Sequence, residues 1–113
     1  MKALISSEQD SLPLILQSLL KLRHGQIIFS GVWNGFVGDS IELVAVVQVH
    51  DKKLVDLIFK YGVLGAAEGY IRGYWSTNHL VELIQILARN RDLLDQLNQN
   101  IIAQASQFFK SLV

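Results

Sequence analysis

Between Tyr61 and Trp75 the chain places glycine at 62, 65, 69 and 73, four of its eight glycines, among Leu64, Ala66, Ala67, Tyr70 and Ile71. Glycines at intervals of three and four either let two backbones touch or let the chain turn sharply, because no Cβ stands in the way. A loop in solvent would have no use for Leu64, Ile71 and two alanines as well. The stretch therefore predicts a short helix over Leu64 to Ile71, with Gly62 closing the helix before it and Gly73 releasing the chain into an extended Tyr74-Trp75.

The flanking segments are read by their period. Leu12, Ile15, Leu16, Leu19 and Leu20 recur at threes and fours after Ser11 as a cap and Pro13 in the first turn, which predicts a first helix ending near Gly25. Gln26 to Trp33 is rich in β-branched and aromatic residues and runs into Asn34-Gly35, the dipeptide a tight type I′ hairpin prefers. Phe36-Val37 opens the return strand and Gly38-Asp39-Ser40 turns the chain again. Ile41 to His50 is the longest strand, with Leu43, Ala45, Val47 and Val49 on one face and Val44 and Val46 on the other, so both faces are partly covered. The expected result is an antiparallel meander packed on helices.

Asp51 caps the next helix, where Leu54, Leu57, Ile58 and Tyr61 form a stripe that Val55 and Phe59 widen to an apolar arc of about 200 degrees, leaving Lys52, Lys53, Asp56 and Lys60 on the wet side. Thr77 starts a helix with Leu80, Leu83, Ile84 and Leu87 facing inward. After the polar joint Arg89-Asn90-Arg91-Asp92, the spacing of Leu94, Leu97, Ile101, Ala105, Phe108 and Leu112 predicts a C-terminal amphipathic helix over about 91–112. That helix either folds back on a core of about 1–90 or docks on a second copy or a downstream domain.

A chain of 113 residues forms one domain with a modest core, yet 50% of its residues are hydrophobic and only 18% charged. The surplus requires a partner domain, a self-association surface or an apolar ligand cavity. Ten basic and ten acidic residues cancel, which argues against nucleic acid as a partner and against a polybasic membrane anchor. Without cysteine there is no disulfide, thiolate ligand or Cys nucleophile. His24, His50 and His79 lie far apart with no metal-ligand spacing, and neither a G-x-S-x-G elbow nor a G-x-G-x-x-G loop occurs. No catalytic residue, metal or cofactor is expected. No run reaches about 18 apolar residues, and Met1 to Ile5 passes straight into polar Ser6 to Asp10, unlike a signal peptide. The expected location is cytoplasmic.

Gly65-x-x-Glu68-x-Tyr70-x-x-Gly73-x-Trp75, followed by Leu80 and a helix ending Leu87-Ala88-Arg89-Asn90, resembles the region just before the methyltransferase domain of cyclopropane-fatty-acyl-phospholipid synthases. The similarity extends more weakly back through Arg23-His24-Gly25 and the strands. Tyr74 stands where that family commonly has an acidic residue, and His79 where an Asp is expected, so the chain would be a divergent member. The resemblance implies an α+β, sterol-carrier-protein-2-like module that engages phospholipid or a fatty acyl chain, or holds subunits together. Its S-adenosylmethionine would come only through a partner methyltransferase domain, since no D-x-G-C-G-type loop is present here.

These lines converge on a non-catalytic lipid-binding module, cytoplasmic or peripheral at the inner membrane. Leu54, Leu57, Ile58, Phe59, Leu64, Tyr70 and Trp75 are its expected lining, and Lys52, Lys53 and Lys60 are headgroup candidates against a plain solvated lysine face. Tyr70, Tyr74 and Trp75 serve either a pocket or simple core. Glu68 is expected on the buried face beside Leu64 and Ile71, either accepting backbone N–H bonds that hold the turn at Gly73 or meeting a headgroup. The alternative is a dimerisation or docking domain for a methyltransferase, without lipid, pairing through its last helix.

Overall fold

A computed structural model describes residues 12–99, which form an α+β domain with a four-stranded mixed sheet. A 3-10 segment, Leu14–Lys21, precedes β1 (Gln26–Gly31), β2 (Gly35–Val37) and β3 (Val44–Val49). Then come α1 (Leu54–Tyr61), α2 (Val63–Ile71), β4 (Trp75–Thr77), α3 (Leu80–Arg89) and α4 (residues 91–99). Ser11 and the predicted stripe positions Ile101, Ala105, Phe108 and Leu112 lie outside the described residues.

The sheet order is β2-β1-β3-β4, and this corrects the expected antiparallel meander. β2 returns antiparallel along β1 to the end where β1 began. The chain then passes beneath β1 and enters β3 on its far side, so β3 must run parallel to β1, from Gln26 opposite Val44 to Gly31 opposite Val49. The crossing is so close that a side chain on Gly38 (φ 114°) would strike the Gly25 carbonyl. The tight hairpin at Asn34-Gly35 is absent as well. Gly31 (φ 103°) stays paired with β3, Asn34 Nδ2 donates to its carbonyl at 2.8 Å, and the wider turn swings Trp33 inward to pack 5.9 Å from Phe29.

Ala45, Val47 and Val49 are buried on the face of β3 that meets the helices, whereas Val44 and Val46 are half-buried, as the alternation predicts. The first helix is 3-10 rather than α because Leu16, Leu19 and Leu22 are the residues that go inside, and a strict interval of three stacks on one line only at three residues per turn. Leu20 is left outside.

α2 is the helix expected from the glycine stretch. Gly62 (φ 65°) separates it from α1, and Gly73 (φ 78°) ends it in a Schellman arrangement, with Tyr74 N–H on the Gly69 carbonyl and Gly73 N–H on that of Tyr70. Gly65 lies directly on the backbone of α1, where an added Cβ would enter the Leu57 carbonyl. Space at Gly73 is open. The two positions therefore predict different costs in urea unfolding at constant slope. Gly73→Ala is expected to lose about 1 kcal/mol for its left-handed backbone, whereas Gly65→Ala loses about 3 kcal/mol by prising two helices apart.

Candidate functional site

The inward face of α2 is its small-residue face. Gly65 touches α1, Gly69 approaches Leu54 Cδ1 and the Trp75 ring, and Val63 and Ala66 look toward the sheet. Such side chains bring backbones together but contribute little volume. Facing them are Phe29 and Trp33, with Val47 beside them. Between the two surfaces lies a cavity of about 110 Å³ whose lining is hydrophobic side chains plus Gly62, drawn from the sheet, the 3-10 segment and all four α-helices.

Directional bonds hold the walls. Trp75 Nε1 donates to the Ala66 carbonyl at 2.7 Å, which ties β4 to α2. From α4, Asn98 Oδ1 accepts the Val63 N–H at 3.0 Å and so caps α2 from a separate helix, pressed against Gly62. His79 Nδ1 accepts the Val46 N–H at 3.1 Å and continues the β3 ladder beyond the end of β4. An Asp there, as the resembled pattern has, would also be an acceptor. Asn90, 1% exposed, ends α3 and clasps Arg23, taking its N–H at 2.8 Å and giving Nδ2 to its carbonyl at 2.7 Å.

Of the seven lining candidates, Leu54, Ile58 and Trp75 border the cavity. Phe59, Leu64 and Tyr70 are exposed, Leu64 by 76%, and Leu57 is half-buried but is not part of the wall. The cause is a rotation of α2. Because Gly65 and Gly69 face inward, Leu64 and Ile71 must face out. Glu68 goes with them. It is a half-exposed partner of Arg72 at 2.7 Å rather than a buried carboxylate, and this bond chiefly raises the Arg72 guanidinium above its ordinary value. The spacing, Glu four residues before Arg, is the favourable helical order.

α3 is turned in the same sense. Leu83 and Ile86 are buried, while Ile84 and Leu80 are exposed against expectation. Lys52, Lys53 and Lys60 are exposed too, and none borders the cavity. Lys52 and Lys60 lie about 12 Å apart along α1 at 1.5 Å per residue, so the three do not form one cluster. His24, His50 and His79 do not come together, and among the described residues no group of three potential metal ligands occurs. His50 instead pairs with Ser76 Oγ at 2.7 Å in the open.

Sequence reasoning missed Leu16, Leu19, Phe29, Trp33, Leu83 and Leu87 as lining, although their periodicity marked most of them as core. No family model, curated protein or solved structure matches the chain.

A cavity penalty of about 24 cal/mol per Å³ makes this void costly to the fold. Ala66→Leu, which adds volume from the α2 wall, is expected to raise stability by about 1 kcal/mol in urea unfolding. A loss of that size would mean that the space beside Ala66 is already filled.

Proposed function

We propose that the chain is a non-catalytic module that takes up part of an apolar molecule, such as a segment of an acyl chain, between its sheet and its helices. The observation that carries this reading is the apolar cavity in a domain too small to leave one idle. Its volume is about three quarters of the ~150 Å³ apolar hole that stays dry and admits benzene. A few methylene groups fit, not a whole fatty tail. At about 0.8 kcal/mol per buried methylene, four would supply roughly 3 kcal/mol, so a short ligand binds in the millimolar range.

The pattern shared with the region before the methyltransferase domain of cyclopropane-fatty-acyl-phospholipid synthases supports the same ligand class. On this reading the chain is sterol-carrier-protein-2-like in role and leaves chemistry to a methyltransferase partner that binds S-adenosylmethionine. Among the described residues no helix is long and apolar enough to cross a membrane, so contact with lipid would be peripheral. Both tryptophans, Trp33 and Trp75, border the cavity and report on its occupancy. Titration with octanol is expected to change their fluorescence saturably in the wild type and not in Ala66→Leu. An unchanged spectrum up to the solubility limit of octanol would defeat the reading.

A second reading, docking on a protein partner or a second copy, is favoured by the outward stripe Leu64, Ala67 and Ile71 on α2. A helix apolar on both sides is normally covered on both. If that stripe is an interface between copies, the wild type sediments as a dimer and Leu64→Lys with Ile71→Lys as a monomer. Equal masses for the two proteins would remove support for self-association through α2.

A further inference from the structure

Four of the ten lysines and arginines, Lys21, Arg23, Arg89 and Arg91, gather at one end of the cavity. The 3-10 segment borders the cavity with Leu16 and Leu19 and then ends, with Lys21 two residues after Leu19 and Arg23 just beyond. α3 borders it with Leu83 and Leu87 and ends at Arg89. α4 opens at residue 91, an arginine, three residues before the lining residue Leu94. Three elements thus carry their cations at the same junction, each within about one turn of a lining leucine.

Hydrogen bonds bring these ends together across more than sixty residues of sequence. Asn90 grips both backbone groups of Arg23 and also donates to the Ile86 carbonyl at 2.8 Å. Arg89 Nη1 donates to the His24 carbonyl at 3.2 Å, which places a guanidinium on the turn itself. His24 has φ 64°, a left-handed backbone that a residue with a Cβ adopts at a cost and that gathers at functional sites. Gly25 cannot relieve it, because a Cβ there would come within 2.7 Å of Ile86 Cγ1.

The charge at this end is unbalanced. The nearby carboxylates are Asp92, next to Arg91, and Glu42, next to Leu43, whose carbonyl accepts the Gln26 N–H at 2.8 Å. Four cations against two carboxylates leave two positive charges here, although the whole chain sums to zero. Among the described residues the only ion pair is Glu68 with Arg72, so none of the four is paired there. All four side chains are exposed.

An apolar cavity with an arginine-bearing rim suits a molecule with a greasy tail and an anionic head, because guanidinium groups match carboxylate and phosphate oxygens in charge and geometry. We infer that the Arg23-His24 turn with Arg89 is an anionic-headgroup site for the amphiphile whose tail enters the cavity. The inference rests on the proposed uptake of an apolar chain. It moves the headgroup contact from the lysines of α1 to a turn on the opposite flank of the chain's fold, where the 3-10 segment, α3 and α4 meet.

Titrations followed by tryptophan fluorescence test it with three probes of one chain length: octanol, octanoate and octyl phosphate. In the wild type at low salt at least one anion is expected to bind about tenfold more tightly than octanol, and the advantage should shrink as salt is raised. Whichever anion is tighter identifies the head as carboxylate or phosphate. Arg23→Gln with Arg89→Gln should reduce the anions to the level of octanol and leave octanol unchanged. Arg23→Gln alone, whose side chain makes no hydrogen bond among the described residues, should move the anions in the same direction without disturbing the fold. Octanol binding with no preference for anions, or a preference that survives the double substitution, overturns the headgroup site alone. Binding by none of the three overturns the cavity reading and this inference together.

Discussion

The contact of Gly65 with the Leu57 carbonyl sets the rotation of α2, and that rotation decides what the rest of the domain looks like. Two helices joined by the single residue Gly62 can lie this close only if the facing side has no Cβ. Once Gly65 and Gly69 are committed to the inside, geometry at 100 degrees per residue sends Leu64, Ala67, Glu68 and Ile71 outward. The outer face is then greasy apart from the Glu68–Arg72 pair, and the inner face is short of volume. Surplus outside and deficit inside have the same origin.

This explains why the sequence was legible for elements and misleading for faces. The glycine spacing located α2, its start at Gly62 and its release at Gly73, and the alternation in β3 named its buried face correctly. Hydropathy then chose the wrong side of α2, because it ranks leucine and isoleucine above glycine for burial, while close backbone packing ranks them the other way. Four of the expected lining residues, Leu57, Phe59, Leu64 and Tyr70, were lost to that inversion or to its counterpart on α1. The mixed sheet was hidden for a different reason. Nothing local in Gly38 to Leu43 states whether the chain turns back beside β2 or passes under β1, and only the close approach of Gly38 to Gly25 in three dimensions marks the crossing.

Polar tertiary bonds were the least legible feature. Asn90 stood in a stretch that reads as an exposed joint of charged residues, yet it is buried and carries three side-chain bonds. Its burial is acceptable because every one of those bonds is made to a backbone group that would otherwise be unsatisfied. The two stretches that carry the family resemblance at opposite ends of the chain, Arg23-His24-Gly25 and Leu87-Ala88-Arg89-Asn90, are the partners in this clasp. Pairing across such a separation cannot be inferred from periodicity, which reports only neighbours along the chain.

An underfilled core ordinarily shrinks as its walls relax inward, which recovers part of the energy lost to the void. Here the walls are pinned by bonds that depend on angle and distance rather than on contact alone. Trp75 fixes α2 to β4, Asn98 fixes α4 to the start of α2, His79 fixes the approach of α3 to β3, and Asn90 fixes α3 to the entrance of β1. Moving any wall toward the cavity by an ångström would stretch one of these bonds past useful length, at a cost of about 1 to 3 kcal/mol for a buried group left unpaired. That is comparable with the roughly 2.6 kcal/mol that 110 Å³ of void costs at 24 cal/mol per Å³, so collapse brings no clear gain. A frame of polar bonds around an apolar hollow therefore keeps the space open, and an apolar guest that fills it recovers the contacts that the walls cannot make with one another.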